Sequence, residues 1–375
     1  MNAKVEEMIY RVLYRCNNIH GGGDTRILVI MIDALGDMVI TIPLIRELKK
    51  AYPASYITLV CNDYTCNLVE HLPYVDEVRV CNQVKRRKHN FERCFYQAFR
   101  FVNDFFRDRL YELVIVPTRA ASVLERLIAV MVKSEQRVIC TSGSCDGEIF
   151  LEINGNILYK GRCNVLDRNV HIMRLLGHDV SDMSLEMPVA KDDIQYVDKL
   201  FSQSNVSDKA VKVVICLSTG AKFRDWPAER YAYVAKWLVK CKNAEIILVG
   251  DMKTAGEYGN VFKKIFDSEY VHNFIGVTTM RQLSEVLRRS DFYLGGDTGT
   301  MHLAAANKLS GVVITKDWEG ADVPNKLYHE KTYLFNFLKP KKSLLGCENG
   351  CLRSEPHCIL QITAEDVIAE IEKII

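Results

Sequence analysis

Short apolar runs of strand length, separated by amphipathic stretches, recur along the chain. The first is ILVIMID, Ile27 to Asp33, apolar at nearly every position. A strand without polar alternation has both faces covered, as strands of a parallel sheet do. Tyr56 to Cys61, Val75 to Cys81, Leu113 to Pro117 and Arg137 to Cys140 read as further strands, with helices expected over Pro43 to Lys50 and from Phe91 to Arg109. Strands and helices alternating at this spacing predict a parallel sheet with right-handed crossovers. The rhythm lapses between Cys145 and Asn205, a more polar stretch with one expected helix from Leu166 to Leu176. Pro188 and the run SQSNVSDK place a hinge within residues 185–210. The rhythm then restarts with strands at Val211 to Leu217, Glu245 to Gly250, Val271 to Gly276, Phe292 to Gly296 and Gly311 to Thr315. Helices are expected at Ala228 to Lys240, Met280 to Arg289 and Thr300 to Asn307. A last helix opens on Thr363-x-x-Asp366, a capping-box variant. Ahead of the first strand, Met8, Ile9, Val12 and Leu13 stand at helical spacing, and Gly21-Gly22-Gly23-Asp24 ends that segment.

Two such series in 375 residues predict an α/β protein of two Rossmann-like, doubly wound domains facing an interdomain cleft. The expected divisions are an N-terminal extension (1–24), a first domain (25–190), a second domain (205–345) and a cysteine-bearing tail with the terminal helix (346–375). Hydrophobic residues at 48% and charged residues at 26% fit a soluble globular chain. A net charge of +2 gives no overall pull toward nucleic acid, so electrostatic recognition has to be local. The N-terminus lacks the apolar core of a signal peptide, and no 18-residue apolar run exists, so a cytoplasmic location is expected. The 13 cysteines are scattered, with Cys61, Cys140 and Cys216 inside apolar runs, which reads as buried thiols rather than a disulfide framework.

Three segments carry candidate chemistry. In DALGDMVITIP, Gly36-Asp37 follows the first strand, at the carboxyl end where open α/β sheets present ligand groups. Asp37 is either a helix N-cap or a carboxylate held ionised by the helix dipole and able to take a proton from a hydroxyl. Asp33 is the neighbouring carboxylate and a candidate brace for the turn. In STGAKFRDWPAER, Ser218, Thr219 and the Gly220 amide can donate to phosphate, and Lys222 and Arg224 can neutralise it, unless the loop is merely solvated. In GGDTGTMHLAAA, the amides of Thr298, Gly299 and Thr300 would sit at a helix N-terminus, a ready anion site. Asp297 can accept from sugar hydroxyls, while His302 either faces the ligand or packs beneath the loop, with packing favoured.

At these residues, above all DALGDMVITIPLIRELKKAYP, WPAERYAYVA and GGDTGTMHLAAA, the chain resembles the lipopolysaccharide heptosyltransferase family over residues 26–315. The resemblance implies a GT-B fold and an inverting, metal-independent glycosyltransferase with no cofactor. The donor it implies is a nucleotide-diphosphate sugar, ADP-heptose, and the acceptor a glycolipid or glycan of lipopolysaccharide type. It implies Asp37 as general base, with Asp297, Thr298 and Gly299 on the donor. The family's Lys two residues before Trp-Pro is Arg224 here, and Arg and Lys do not meet phosphate alike. A sugar-nucleotide epimerase of similar architecture and a degenerate nucleotide-sugar-binding paralogue are the competing readings.

Lys85, Arg86, Arg119 and Arg168 could meet an anionic acceptor, though a basic loop is more commonly only solvated. The stripe Phe95, Phe99, Val102, Phe106 is expected to pack in the core, with peripheral contact to the cytoplasmic face of the inner membrane as its alternative. Cys347, Cys351, His357 and Cys358 form the densest thiol group, read as free thiols with a structural metal as the alternative.

Overall fold

The computed structural model describes residues 8–13, 25–82, 91–118, 121–142, 148–154, 156–180, 182–315, 334–341 and 354–375. The chain divides into two compact units, residues 1–184 and 185–375.

The first unit is built on a seven-stranded sheet. Its strands are β1 (Arg26–Ile30), β2 (Tyr56–Cys61), β3 (Glu77–Val80), β4 (Leu110–Val116), β5 (Lys133–Ser142), β6 (Glu148–Ile153) and β7 (Asn156–Arg162), in the order β3-β2-β1-β4-β5-β6-β7. The first five positions are parallel. The expected strand from Ile27 ends at Ile30, and the apolar residues Met31 and Ile32 continue beyond it fully buried. The polar lapse after Cys140 contains β6 and β7, which extend the sheet antiparallel. Leu151 is buried while Ile157 and Leu158 are exposed, so the pair lacks the unbroken buried run that marks the parallel strands. Asn154, at φ 49°, leaves β6 in the left-handed region, and its Oδ1 accepts from the Arg137 amide within β5 at 3.0 Å.

The helix expected from Pro43 begins much earlier and spans Leu35–Ala51, with Pro43 inside it. Burial of Met38, Val39, Ile42, Ile45 and Leu48 along its length outweighs the one backbone hydrogen bond the proline removes. Of the stripe Phe95, Phe99, Val102 and Phe106, on and just after the helix Phe91–Phe105, three residues meet the core as expected and Phe99 does not. Phe106 is buried, Phe95 and Val102 are half-buried, and Phe99 is 57% exposed. The same core takes in Phe91, Ala98 and Phe101 on this helix, on the side away from Phe99. The helical segment at 8–13 lays Tyr10 edge-on against Phe91 and leaves Met8 and Val12 exposed.

The second unit carries six strands, all parallel: β8 (Val211–Cys216), β9 (Ala244–Val249), β10 (Val271–Asn273), β11 (Phe292–Gly296), β12 (Ser310–Ile314) and β13 (Phe335–Leu338). Their order is β10-β9-β8-β11-β12-β13. Helices Lys191–Gln203 and Met252–Ile265 and strand β13 complete the unit beyond what the apolar runs predicted. The first two bury few side chains, among them Val197, Phe201, Ala255 and Phe262, so their periodicity is faint. The terminal helix Ala364–Ile371 has the expected capping box between Thr363 and Asp366.

In each sheet the chain winds outward on one side of the starting strand and then on the other. The reversal falls between β1 and β4 in the first unit and between β8 and β11 in the second. Open α/β sheets bind ligands at the carboxyl ends of such strand pairs.

Candidate functional site

In the second unit the loops after β8 and β11 flank the reversal point, and they carry two of the three sequence motifs. The loop after β8 is closed by Asp225. Its Oδ1 accepts from the Thr219 amide at 2.6 Å, and its Oδ2 accepts from the Tyr258 hydroxyl at 3.0 Å. Burial raises the Asp225 carboxyl above its ordinary range, while the Thr219 and Tyr258 donors oppose that rise. Ser218 donates its hydroxyl to Thr254 Oγ1 at 3.2 Å, and Thr219 donates its own to the Ala221 carbonyl at 2.9 Å. The two hydroxyls expected to meet phosphate therefore brace the loop, which ends in a single 3-10 turn at Lys222–Arg224. Gly220 lies exposed at its bend.

Below the loop, Trp226 is buried and donates its indole N–H to the Ile362 carbonyl at 2.9 Å. The Trp-Pro segment thus fastens the C-terminal stretch to the body of the unit.

Arg224 reaches across to the third motif. Its Nη1 lies 3.4 Å from Asp297 Oδ2, with both side chains about three-quarters buried. Gly296 makes the approach of the two loops possible, because a Cβ there would stand 2.6 Å from Thr219 Cγ2. Lys222 takes another direction: it is exposed and paired with Glu355 at 3.0 Å. Beyond Asp297, Thr298 is the N-cap of the helix Gly299–Ala306 and makes no side-chain capping bond. The amides of Gly299 and Thr300 open this helix, where no intrahelical acceptor exists for them. Thr300 is buried, and His302 is half-buried one turn in. Burial pushes the His302 imidazole down to about 4 against the pull of Asp297, so it is neutral at neutral pH.

In the first unit, Ala34 is the N-cap of the helix Leu35–Ala51, so Asp37 is not the capping residue. It stands half-buried in the first turn, and its carbonyl accepts from Thr41 Oγ1 at 2.8 Å. Asp33 does brace the turn. Its Oδ1 accepts from the Ala34 amide at 2.8 Å, and its carbonyl accepts from Asn62 Nδ2 and the Tyr64 hydroxyl. Across the reversal point, Thr118 follows β4 with its hydroxyl buried and without a hydrogen-bond partner.

Arg168, on the helix Val165–Leu175, is 2% exposed, and its Nε and Nη2 have no partner. The adjacent Asn169 donates to the Ile40 carbonyl at 2.9 Å, which ties this helix to the one bearing Asp37. An unpartnered Nε/Nη2 edge is suited to bidentate contact with a carboxylate or phosphate, but here both nitrogens are closed off from solvent.

Lys85, Arg86, Arg119, Cys347 and Cys351 lie outside the described residues. His357 is half-buried with Nδ1 3.1 Å from the Glu355 carbonyl, and Cys358 is buried beside Ile359. Among the described residues no group of three or more His, Cys, Asp or Glu could hold a metal ion. The described cysteines, including buried Cys61, Cys140 and Cys216, are free thiols. No helix among the described residues is long and apolar enough to cross a membrane.

Sequence reasoning missed Asp225, Tyr258 and Glu125. The Glu125 carboxylate accepts from two backbone amides at the end of β1 and after β4. Asp225 could have been noticed as an acid beside a Trp-Pro pair. Nothing in the residue pattern pairs Glu125 with Ile32, 93 positions away.

Residues 127–312 match the family model of glycosyltransferase family 9 (heptosyltransferase). Lipooligosaccharide heptosyltransferase 2 of Campylobacter jejuni is 25% identical over 205 residues, 51% of this chain. The match spans 60% of that relative's length. Among solved structures, a glycosyltransferase family 9 protein from Veillonella parvula aligns with a TM-score of 0.70 at 18% identity, covering 93% of this chain and 96% of the other. The ADP-heptose lipopolysaccharide heptosyltransferase II of Escherichia coli aligns at 0.66 and 17% identity, covering 93% and 98%. An Escherichia coli heptosyltransferase solved with ADP aligns at 0.58 and 15% identity, covering 93% and 97%. Likeness at these identities establishes the fold, two Rossmann-like domains of GT-B type.

Proposed function

We propose that this chain, whose residues 127–312 match the glycosyltransferase family 9 model, is a member of that family and transfers heptose from ADP-heptose to a lipopolysaccharide-type glycan acceptor. The observation that supports this most is the Arg224–Asp297 pair. It sets a cation beside the N-terminal turn of the helix Gly299–Ala306, at the carboxyl ends of the two strands where the second sheet reverses. A diphosphate placed there meets helix amides and a guanidinium, and Asp297 is available to sugar hydroxyls.

In this reading transfer is inverting and needs no metal. An acceptor hydroxyl loses its proton to Asp37 and attacks the anomeric carbon as the bond to the diphosphate oxygen breaks. The charge left on ADP is met by Arg224 and by the Gly299 and Thr300 amides, donors worth on the order of 2–4 kcal/mol each when preorganised. Arg168 has the chemistry to receive an anionic group of the acceptor once its closed Nε/Nη2 edge is opened, since a buried guanidinium without a partner gains most from a ligand that supplies one.

The test is a thermal-shift panel of nucleotide sugars, followed by mass spectrometry of products with lipid-linked glycan acceptors. Selective stabilisation by ADP-heptose and a heptosylated acceptor are expected. Conversion of the nucleotide sugar without acceptor would instead indicate an epimerase. Binding without turnover would point to a degenerate paralogue, a reading favoured only by Arg224 at the family's Lys position.

A further inference from the structure

Glu125 takes no part in the reaction just described, yet it joins the two loops at the reversal point of the first sheet. It stands in the helix Val123–Met131 and is 1% exposed. Oε1 accepts from the Ile32 amide at 2.9 Å, and Oε2 accepts from the Ser122 amide at 2.8 Å. Ser122 returns the contact, its Oγ accepting from the Glu125 amide at 3.3 Å. Ile32 is where the chain has left β1: the amide before it, Met31, still donates to the sheet at the Val60 carbonyl. The next residues are Asp33, the N-cap Ala34 and the helix turn that holds Asp37.

We propose that Glu125 is a positioning residue, its carboxylate fixing the exit of β1 and thereby the placement of Asp37. The catalytic half of this statement rests on the role given to Asp37 above.

The device requires both carboxylate oxygens as acceptors, since the hydroxyl of a protonated carboxyl donates and no longer serves an amide well. Burial raises the Glu125 carboxyl to about 7, with the Ser122 and Ile32 amides opposing and the charge of Asp33 adding to the rise. Asp33 faces it from the turn after β1, and the Cys81 thiol, after β3, senses its charge. Protonation near neutrality therefore removes one of the two backbone holds and loosens the Asp33–Asp37 turn.

The experiment uses the full chain and Glu125→Gln, which keeps the size but offers only one accepting oxygen. Hydrogen–deuterium exchange of the peptide spanning residues 31–37, corrected for intrinsic rate, is followed from pH 5.5 to 8 alongside kcat with saturating ADP-heptose and acceptor. In the wild type, protection of the peptide is expected to rise with pH through about 7, with kcat rising in parallel. In Glu125→Gln, protection is expected to be low and flat, kcat about tenfold down and both KM values within about twofold, as for a misplaced but present base. Wild-type protection and kcat in the variant would overturn the proposal, as would a lowered kcat that keeps its rise near pH 7. Should Glu125→Gln not fold, the wild-type exchange profile decides, and pH-independent protection of residues 31–37 overturns the proposal. Absence of product from the wild type with every nucleotide heptose sinks the functional reading alone, because exchange still reports whether Glu125 holds the turn.

Discussion

At the scale of single residues, the chemistry assigned to Asp37 and Arg224 separates into different measurements. Asp37→Ala is expected to lower kcat by about 10²–10⁴, the range of general-base catalysis, with the donor dissociation constant unchanged by calorimetry. Retained turnover would take the base role from Asp37. Arg224→Ala is expected to raise the donor KM about tenfold or more through loss of a charge-assisted contact. Arg224→Lys should recover part of that loss, because an ammonium neutralises phosphate without the bidentate fork. Buried titratable groups set opposing stability trends. Glu125 holds its proton more tightly folded, at about 7, than at its ordinary 4.5. Unfolding returns the carboxyl to water, so its contribution to global stability is full below about 4.5 and is lost as pH rises through about 7, whereas release of the turn alone leaves Glu125 buried without the amides that favour its ionised form, so the local hold strengthens over the same range. His302, lowered from 6.5 to about 4, contributes fully above about 6.5, and that contribution is lost as pH falls through about 4. Urea midpoints of Glu125→Gln and His302→Gln against pH should each flatten the corresponding slope.

At the scale of elements, two loops at the end of a parallel sheet are held in shape mainly by their own side chains. Asp225→Ala removes the acceptor for both the Thr219 amide and the Tyr258 hydroxyl. Stranding the buried Thr219 amide costs about 1–3 kcal/mol, while the half-buried Tyr258 hydroxyl can turn to water, so a Tm loss of a few degrees and a raised donor KM with little change in kcat are expected. A loss of kcat alone would show that the loop acts on chemistry rather than on donor binding. Gly311 marks a place where close strand approach excludes a side chain, since a Cβ would lie 2.1 Å from the Tyr293 carbonyl oxygen. Gly311→Ala forces β11 and β12 apart, and a destabilisation of about 2–3 kcal/mol in urea unfolding is expected.

At the scale of the whole molecule, two units with separate sheets and separate cores need not unfold together. ADP binding to the second unit should protect residues 218–230 and 297–303 from hydrogen exchange and leave residues 31–37 unchanged. At 100 times its dissociation constant it should stabilise that unit by about 2.7 kcal/mol. Equal protection of peptides from both units would contradict assignment of the nucleotide to the second alone.

The apolar runs alone marked the parallel strands at the centre of each sheet, though not the edge strand β13 or the antiparallel pair β6–β7, because strands buried on both faces leave an unbroken hydrophobic signature; β2 and β11 coincide with their runs. They also located the turn before Asp37, the STGAKFRDWP loop and the GGDTGT helix start, since glycines and caps act locally on the backbone. Three kinds of feature were decided by tertiary structure. The start of the helix at Leu35 and the exposure of Phe99 depend on which faces neighbouring elements cover. The antiparallel pair β6–β7 lacks the unbroken buried run of a parallel strand, and its place in the sheet is set by its pairing to β5. The Asp225–Tyr258 and Glu125–Ile32 contacts cross the fold, where distance along the chain carries no trace of a hydrogen bond, although Glu125 also forms a local capping box with Ser122. Local conformational preference is written in adjacent residues, whereas the pairing of buried polar groups exists only once the sheet has brought its strand ends together.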